Sequence, residues 1–540
     1  MAKRKKDQKV FCNRCSDLYE KTVAFFTLWI LLLLPLIIDD FYFNILETKY
    51  RFFWVSVIAM LTVLAAMTAW FCYQDFELFN GRNTKRILNY FKPTELFRHC
   101  NAPDIAMMAF LLIAVISTLQ SDYLYEAFWG NEGRYTGLFL LLLYGVLFFA
   151  VTKLMKFKKW YMDAFLVVVI LVCLFGITDY FQMDILHFKV RLKEGQRTIF
   201  TSTIGNVNTY ASFVGLGLGA VMTLYAVEKK RIKVIIYYIG TLIAMTALFM
   251  GLSDNAYLAL LALYGFLPLY LFRTKTGARR YAVLVASLFT VIKILTIVNR
   301  VWADKVIGLD SLFLILADMK LLSAIIVVLW CIVAALYYVS YNKPYLNDNC
   351  SSWLVRGWIF VIIISIATII FMIWDANWGG HVQRYGALER YLILDDEWGT
   401  HRGYIWRIAV ENYMKFPLIH KLFGYGPDTF VILTIKNNYQ EMMRLYRETF
   451  DSAHNEYLQY FVTMGVFGLT AYVGLLITSA VRMVKVALDK PEVMAAFFAC
   501  VAYATQAFVN ISVPIVAPVM WLLLMAGLSG CRDVADKSKG

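Results

Sequence analysis

No stretch of this 540-residue chain is polar for long enough to fold as a sizeable soluble domain. The net charge of +14 therefore has no basic globular surface to occupy, which excludes a nucleic-acid-binding module. Cysteine is sparse. There are nine, with a lone Cys12-x-x-Cys15 and no second pair to complete a tetrahedral zinc site. Packing, fortuitous spacing or lipid modification accounts for that pair without a metal. A cleavable signal is not expected either. The first apolar run is followed by Asp39-Asp40 instead of a small-residue cleavage site, so the first helix is retained.

What is there is apolar. Sixty per cent of the residues are hydrophobic, against roughly 45–50% in an average globular chain, and they come in runs of membrane-spanning length. The pattern predicts an all-α polytopic membrane protein of about fourteen spans, near 23–38, 52–73, 103–119, 137–152, 161–178, 204–227, 234–252, 255–272, 281–298, 320–340, 356–374, 457–481, 493–511 and 514–530. The last two are expected to meet at a tight turn at Val513-Pro514. An even count puts both termini on one side, and the basic runs Lys3–Lys6, Lys153–Lys159, Glu228–Lys233 and Arg273–Arg280 make that side cytoplasmic. The chain divides into a bundle over 1–374, a long extracytoplasmic loop over 375–456, and C-terminal helices with a tail over 457–540.

Most connections are short. Three outward ones are long: Ser121–Thr136, Thr178–Thr203 and the stretch from Asp375 to Ser452, which reads as a small helical cap. In the cap, Arg402–Lys415 is amphipathic. Trp406, Ala409, Val410 and Tyr413 share one face, and Arg407 is spaced to pair with Glu411. After Gly424-Tyr425-Gly426-Pro427, Asp428 is placed to start a helix running to about Met443.

The chemistry concentrates at the outer face. With Asp451 or Ser452 as N-cap, His454 falls in the first turn of the twelfth span, where the helix dipole disfavours imidazolium. A neutral histidine there accepts a proton as a general base, with Asn455 and Tyr457 to orient it; the same residue could equally complete a local cap. Arg134, Arg191, Arg197, Arg402 and Arg407 all lie outside the membrane. Guanidinium groups bind diphosphate oxygens bidentately, and they also make ordinary surface pairs with carboxylates. Gly205-Asn206-Val207-Asn208 opens the sixth span with small and amide residues. These could present backbone N–H groups to an anion, or simply cap the helix. Asp39-Asp40 could hold a divalent cation, but adjacent side chains diverge, and an interfacial stop is the simpler account. No cofactor or metal is expected.

Taken in order, these elements resemble a known family. Trp129-Gly130 through Arg134-Tyr135-Thr136-Gly137 is followed by Ile204-Gly205-Asn206-Val207-Asn208-Thr209-Tyr210-Ala211. Next come Arg402-x-x-x-Trp406, Phe423-Gly424-Tyr425-Gly426-Pro427-Asp428-x-Phe430, His454-Asn455-Glu456-Tyr457-Leu458-Gln459 with Gly465-x-x-Gly468, and Gln506-x-x-x-Asn510. The set is similar to the bacterial O-antigen ligase and Wzy-type polymerase family, GT-C-related membrane glycosyltransferases. The resemblance implies transfer of a polyprenyl-diphosphate-linked glycan to a glycan or lipid-glycan acceptor at the outer face of the cytoplasmic membrane. It makes His454 the base and Arg402 the first diphosphate ligand, without metal. Arg134, Arg191, Arg197, Arg407, Asn206, Asn208 and Tyr457 are the further substrate-binding candidates. Many relatives carry an arginine in a turn where this chain has Ser253-Asp254-Asn255, so that contact must come from elsewhere. The competing class is a lipid-linked oligosaccharide flippase. Such carriers usually show internal repeats and mid-membrane charges, and here no duplication is clear and Lys293 is the main deep charge.

Overall fold

The computed structural model describes residues 2–342 and 348–537. Among these residues the fold is almost wholly helical, and the sheet consists of two short antiparallel strands, Phe200–Thr201 and Gly205–Asn206. Among the described residues nine helices are long and apolar enough to cross a membrane by length and composition, and Leu138–Leu154, Asn255–Leu271 and Ala517–Arg532 are shorter apolar helices. The molecule is thus a polytopic membrane protein. Each of the fourteen expected spans falls on a helix, but the outer two boundaries differ from expectation. The first helix, Ala2–Leu33, stops before 38. Pro35 disfavours helical backbone at the residue before it, and the chain turns there. At the other end, Pro491–Gln506 and Ala517–Lys537 are separated by ten residues instead of a tight turn, because Gln506 and Asn510 are used as side-chain ties.

The centre of the bundle is the helix Val207–Val227, whose apolar window is 94% buried. Its Gly215, Gly217 and Gly219 bring neighbours onto the backbone. A Cβ at Gly219 would stand 2.5 Å from the Phe498 carbonyl oxygen, so Pro491–Gln506 packs closer than side chains would permit. Asn510 Nδ2 donates to the Asn208 carbonyl (3.1 Å) and the Ser212 hydroxyl (2.8 Å), pinning the 507–516 stretch to the start of this helix. By contrast Leu322–Asn342 and Ser352–Asn377 hang at the periphery; their apolar windows are 11% and 0% buried within the chain, so bilayer lipid is their solvent.

The cap has its own core of Tyr404, Ile405, Ile408, Phe430, Leu433, Met442 and Phe450. The cap helix Trp398–Lys415 buries Tyr404, Ile405, Ile408, Ala409 and Asn412, a face rotated from the expected one, and leaves Val410 exposed. The cap joins the bundle at a backbone crossing. Gly465 interrupts the helix Glu456–Ala487 with φ 69° and ψ −175°. A Cβ there would lie 2.4 Å from the Leu422 carbonyl carbon, and one at Gly424 would lie 2.2 Å from that of Thr463. Glycine is required at both positions, by positive φ (69° and 75°) and by close approach.

Candidate functional site

His454 does not sit in the first helical turn as expected. The N-cap is Asn455, whose Oδ1 accepts the Leu458 N–H at 3.0 Å, and the helix begins at Glu456. His454 precedes it with a left-handed φ of 45°. Asp451 and Ser452 lose the capping role because the chain between them and the helix is tied elsewhere. Ala453 N–H donates to Gln459 Oε1 (2.9 Å), and the Ala453 carbonyl accepts from Trp406 Nε1 (3.0 Å). Two side chains from different segments therefore fix the peptide that carries His454. Positive φ in a non-glycine residue costs energy and is held by its surroundings.

The ring is half-buried, and its pKa is pushed down to about 4, by burial first, then by the Arg402 and Arg134 cations, with Asp451 opposing. It is neutral over the ordinary pH range, as a proton acceptor must be. The same electrostatics show that Arg402 and Arg134 both act on this ring.

Arg402 is aimed by strain. Gly399, Thr400 and His401 are consecutive left-handed residues at the head of the cap helix, with φ of 60°, 60° and 67°. The Arg402 Nη1 donates to the Gly399 carbonyl at 3.0 Å, and its Nε is buried without a partner. Burial lowers its pKa, with Asp254 opposing. Arg134 hangs from the Ser121–Thr136 loop and its Nη2 meets Asp451 Oδ1 at 2.6 Å, while its Nε is likewise buried and unpartnered. Two guanidiniums with unused donors thus flank one neutral imidazole.

Asp428 does not start the next helix, which runs from Phe430 to Leu445 with Thr429 as N-cap. Its buried carboxylate instead accepts the N–H groups of Asn131 (2.7 Å) and Thr136 (3.1 Å), and its carbonyl accepts from the Asn131 amide. Gln120 Nε2 adds a bond to the Gly424 carbonyl at 2.6 Å. The glycine-rich turn therefore latches the loop that carries Arg134. Burial pushes the Asp428 pKa up to about 6, against the pull of its two amides.

The remaining candidates divide. Asn206 caps the central helix by accepting the Asn208 N–H at 2.9 Å, and Asn208 Oδ1 accepts from Ser253 Oγ at 2.7 Å. The Asn206 amide oxygen is engaged in local capping and that of Asn208 in a tie to the turn before Asn255–Leu271. Tyr457 donates to the Ala504 carbonyl at 2.7 Å and packs on Phe508. Arg407 is bound by Asp396 (2.9 Å), Glu411 (3.0 Å) and Glu441 (3.3 Å), which makes it a tie within the cap. Arg191 is exposed and paired with Asp40 at 2.8 Å. Arg197 is exposed on a separate cavity with Asp179 and Lys189.

Three acids that the sequence gives no place in the site lie close to it. Asp254 stands where Arg402 acts on it, its pKa raised by burial and Asp310 and lowered by Arg390 and Arg402. Glu456 is fully buried, accepting from Tyr472 (2.7 Å) and Tyr503 (3.0 Å). It lines a small enclosed cavity of about 30 Å³ together with Arg134, Asp428, Ser452 and Gln459. Asp428 was legible only as a helix start.

Residues 305–473, the span that holds Arg402, the glycine-rich turn and His454, match the family model described as O-antigen ligase. Across that segment the chain is similar to the O-antigen ligase family. No curated protein matches the chain. The match supports a membrane enzyme of the glycan-joining kind, and the matched segment covers the cap and the kinked helix as far as residue 473, past the break at Gly465. Arg134 and the central helix lie outside the match.

Proposed function

We propose that this protein transfers a glycan from a polyprenyl-diphosphate carrier to an acceptor hydroxyl at the outer face of a bacterial cytoplasmic membrane, with both termini on the cytoplasmic side. The observation that carries the reading is the neutral His454 between two arginines with unused donors, at a strained junction of cap and bundle. His454 removes the acceptor proton as the oxygen attacks the anomeric carbon of the donor. Arg402 and Arg134 bind the diphosphate and stabilise the charge that builds on it as the glycosidic bond breaks. Asp428 holds the loop bearing Arg134, and Trp406 and Gln459 hold the peptide bearing His454. No step requires a metal.

A lipid-linked donor also suits the surface below the site. An apolar groove of about 480 Å³ runs along the Glu456–Ala487 and Pro491–Gln506 helices, from Tyr457 and Phe508 at its mouth past Leu476, Ala480, Phe497 and Val501. A hydrocarbon chain entering there leaves its head group near His454. The test is incubation of the purified protein, in nanodiscs and with EDTA present, with a lipid-linked oligosaccharide and an acceptor glycan. Transfer is expected, with His454→Ala reducing it by about 10²–10⁴. An unchanged rate in that variant overturns the base assignment.

A further inference from the structure

The face opposite the cap carries a second cationic site. The peripheral helix Ser352–Asn377 rises about 38 Å from that face to the cap. Its first turn diverges from the end of Asn255–Leu271. The two are joined by a short strap, in which Cys350 N–H donates to the Arg273 carbonyl (2.8 Å) and Thr274 bridges Asn349. Higher up, Trp358 Nε1 donates to the Gly265 carbonyl at 2.7 Å and its ring packs against Phe272. Between strap and tryptophan lies an open cleft of about 520 Å³ lined by Phe272, Arg273, Ser351, Ser352, Val355 and Arg356.

Both arginines of the cleft are exposed, and among the described residues neither has a carboxylate within ion-pairing distance. Arg356 lies over the Trp353 ring at 5.4 Å, the arrangement of an interfacial anchor at a membrane surface. Below this rim no residue of the helix's apolar window is fully buried against the rest of the chain, so the cleft opens onto hydrocarbon. An opening with two free guanidiniums and two serine hydroxyls at the head-group level, and apolar walls beneath, matches a molecule that is anionic at one end and aliphatic at the other. A free phosphate satisfies only the rim.

We propose that this cleft binds an anionic phospholipid, its phosphate on Arg273 and Arg356 and its acyl chains along Val355 and the lipid-facing side of Ser352–Asn377. The lipid supplies packing that the chain itself does not give this helix. The site is remote from His454 and independent of the transfer reaction proposed above.

The test is native mass spectrometry of the full chain released from micelles containing equal phosphatidylglycerol and phosphatidylcholine. Wild type is expected to retain one phosphatidylglycerol with a preference of about tenfold or more, as two interfacial basic residues provide. The R273Q/R356Q double variant should lose that preference while R191Q keeps it. Equal retention of both lipids by wild type, or an unchanged preference in the double variant, overturns the proposal. Displacement of the lipid by millimolar inorganic phosphate also overturns it, by showing a site for a soluble anion. Both variants replace exposed side chains, and elution and thermal midpoint in phosphatidylcholine alone confirm that the fold persists.

Discussion

Replacing Arg402 should move the acid limb of the pH–rate profile, because that arginine helps to keep His454 neutral. The imidazole falls from its ordinary value of about 6.5 to about 4 in the folded protein. That corresponds to about 3 kcal/mol in favour of the neutral ring. Burial is the largest cause and Arg402 the second, so deleting the cation returns less than half of the displacement. In Arg402→Gln the limb of kcat/KM should rise from about pH 4 to about pH 5, still short of the free-imidazole value. The sign is fixed. A histidine whose folded pKa is depressed works above that pKa, while its contribution to stability is full above the unfolded value of about 6.5 and is lost as pH falls to about 4; removing a nearby cation narrows the working range from the acid side. The measurement is the shape of kcat/KM against pH with a lipid-linked donor, normalised to its own plateau. The lower plateau expected from losing a diphosphate ligand then does not interfere. Arg407→Gln is the control, since Arg407 is held by Asp396, Glu411 and Glu441 and does not contribute to the His454 shift. A limb that stays at about pH 4 in Arg402→Gln, or moves equally in Arg407→Gln, refutes the electrostatic link between cap and histidine.

Other perturbations test the scaffold. Gly465→Ala places a Cβ 2.4 Å from the Leu422 carbonyl carbon at a backbone angle that only glycine adopts readily, so the thermal midpoint in detergent should fall, by at least about 1–3 kcal/mol in stability. Asp428→Ala leaves the Asn131 and Thr136 N–H groups without their acceptor. It should cost about 1–3 kcal/mol for the uncompensated donors and speed proteolysis within 121–136, whereas Asp428→Asn, which keeps one acceptor, should lose less. Tyr472→Phe and Tyr503→Phe each strip one donor from the buried Glu456 carboxyl. Each should lower stability by about 1–3 kcal/mol, and the double variant should lose more than either alone.

Much of the bundle was legible because apolar runs have a length set by the bilayer, and each expected span lies on a helix. The boundaries that moved did so for tertiary reasons: Pro35 ends the first helix, and Asn510 prefers the Asn208 carbonyl to a tight turn with its neighbours. The outer-face chemistry was legible as a set of residue types, not as a geometry. His454 and Arg402 come together, and Arg134 joins them from a loop more than 260 residues earlier, through contacts that periodicity does not encode. Arg407 read the same way and is consumed by three carboxylates instead. The spacing to Glu411 already sets Arg407 apart, and Asp396 and Glu441 complete its tie from elsewhere in the cap, whereas Arg402 follows the left-handed run Gly399–His401.

The turn Ser253-Asp254-Asn255 then takes on a role the sequence suggested only by contrast. An acid there does not replace a missing cation; it faces one, since Asp254 acts on Arg402 while Asp451 pairs with Arg134. Each arginine flanking His454 therefore has its own carboxylate, so two opposed pairs offset each other before any donor arrives. A resting site so balanced does not hold a bare pair of cations in a half-buried pocket, which would be costly. In the proposed reaction a diphosphate competes with Asp254 and Asp451 for the guanidiniums, and affinity is exchanged for a site that stays neutral when empty. Asp254→Asn should accordingly tighten donor binding, seen as a lower KM, and it should also depress the His454 acid limb further by leaving Arg402 less opposed. A higher KM in that variant would show that Asp254 positions Arg402 for the donor instead of competing with it.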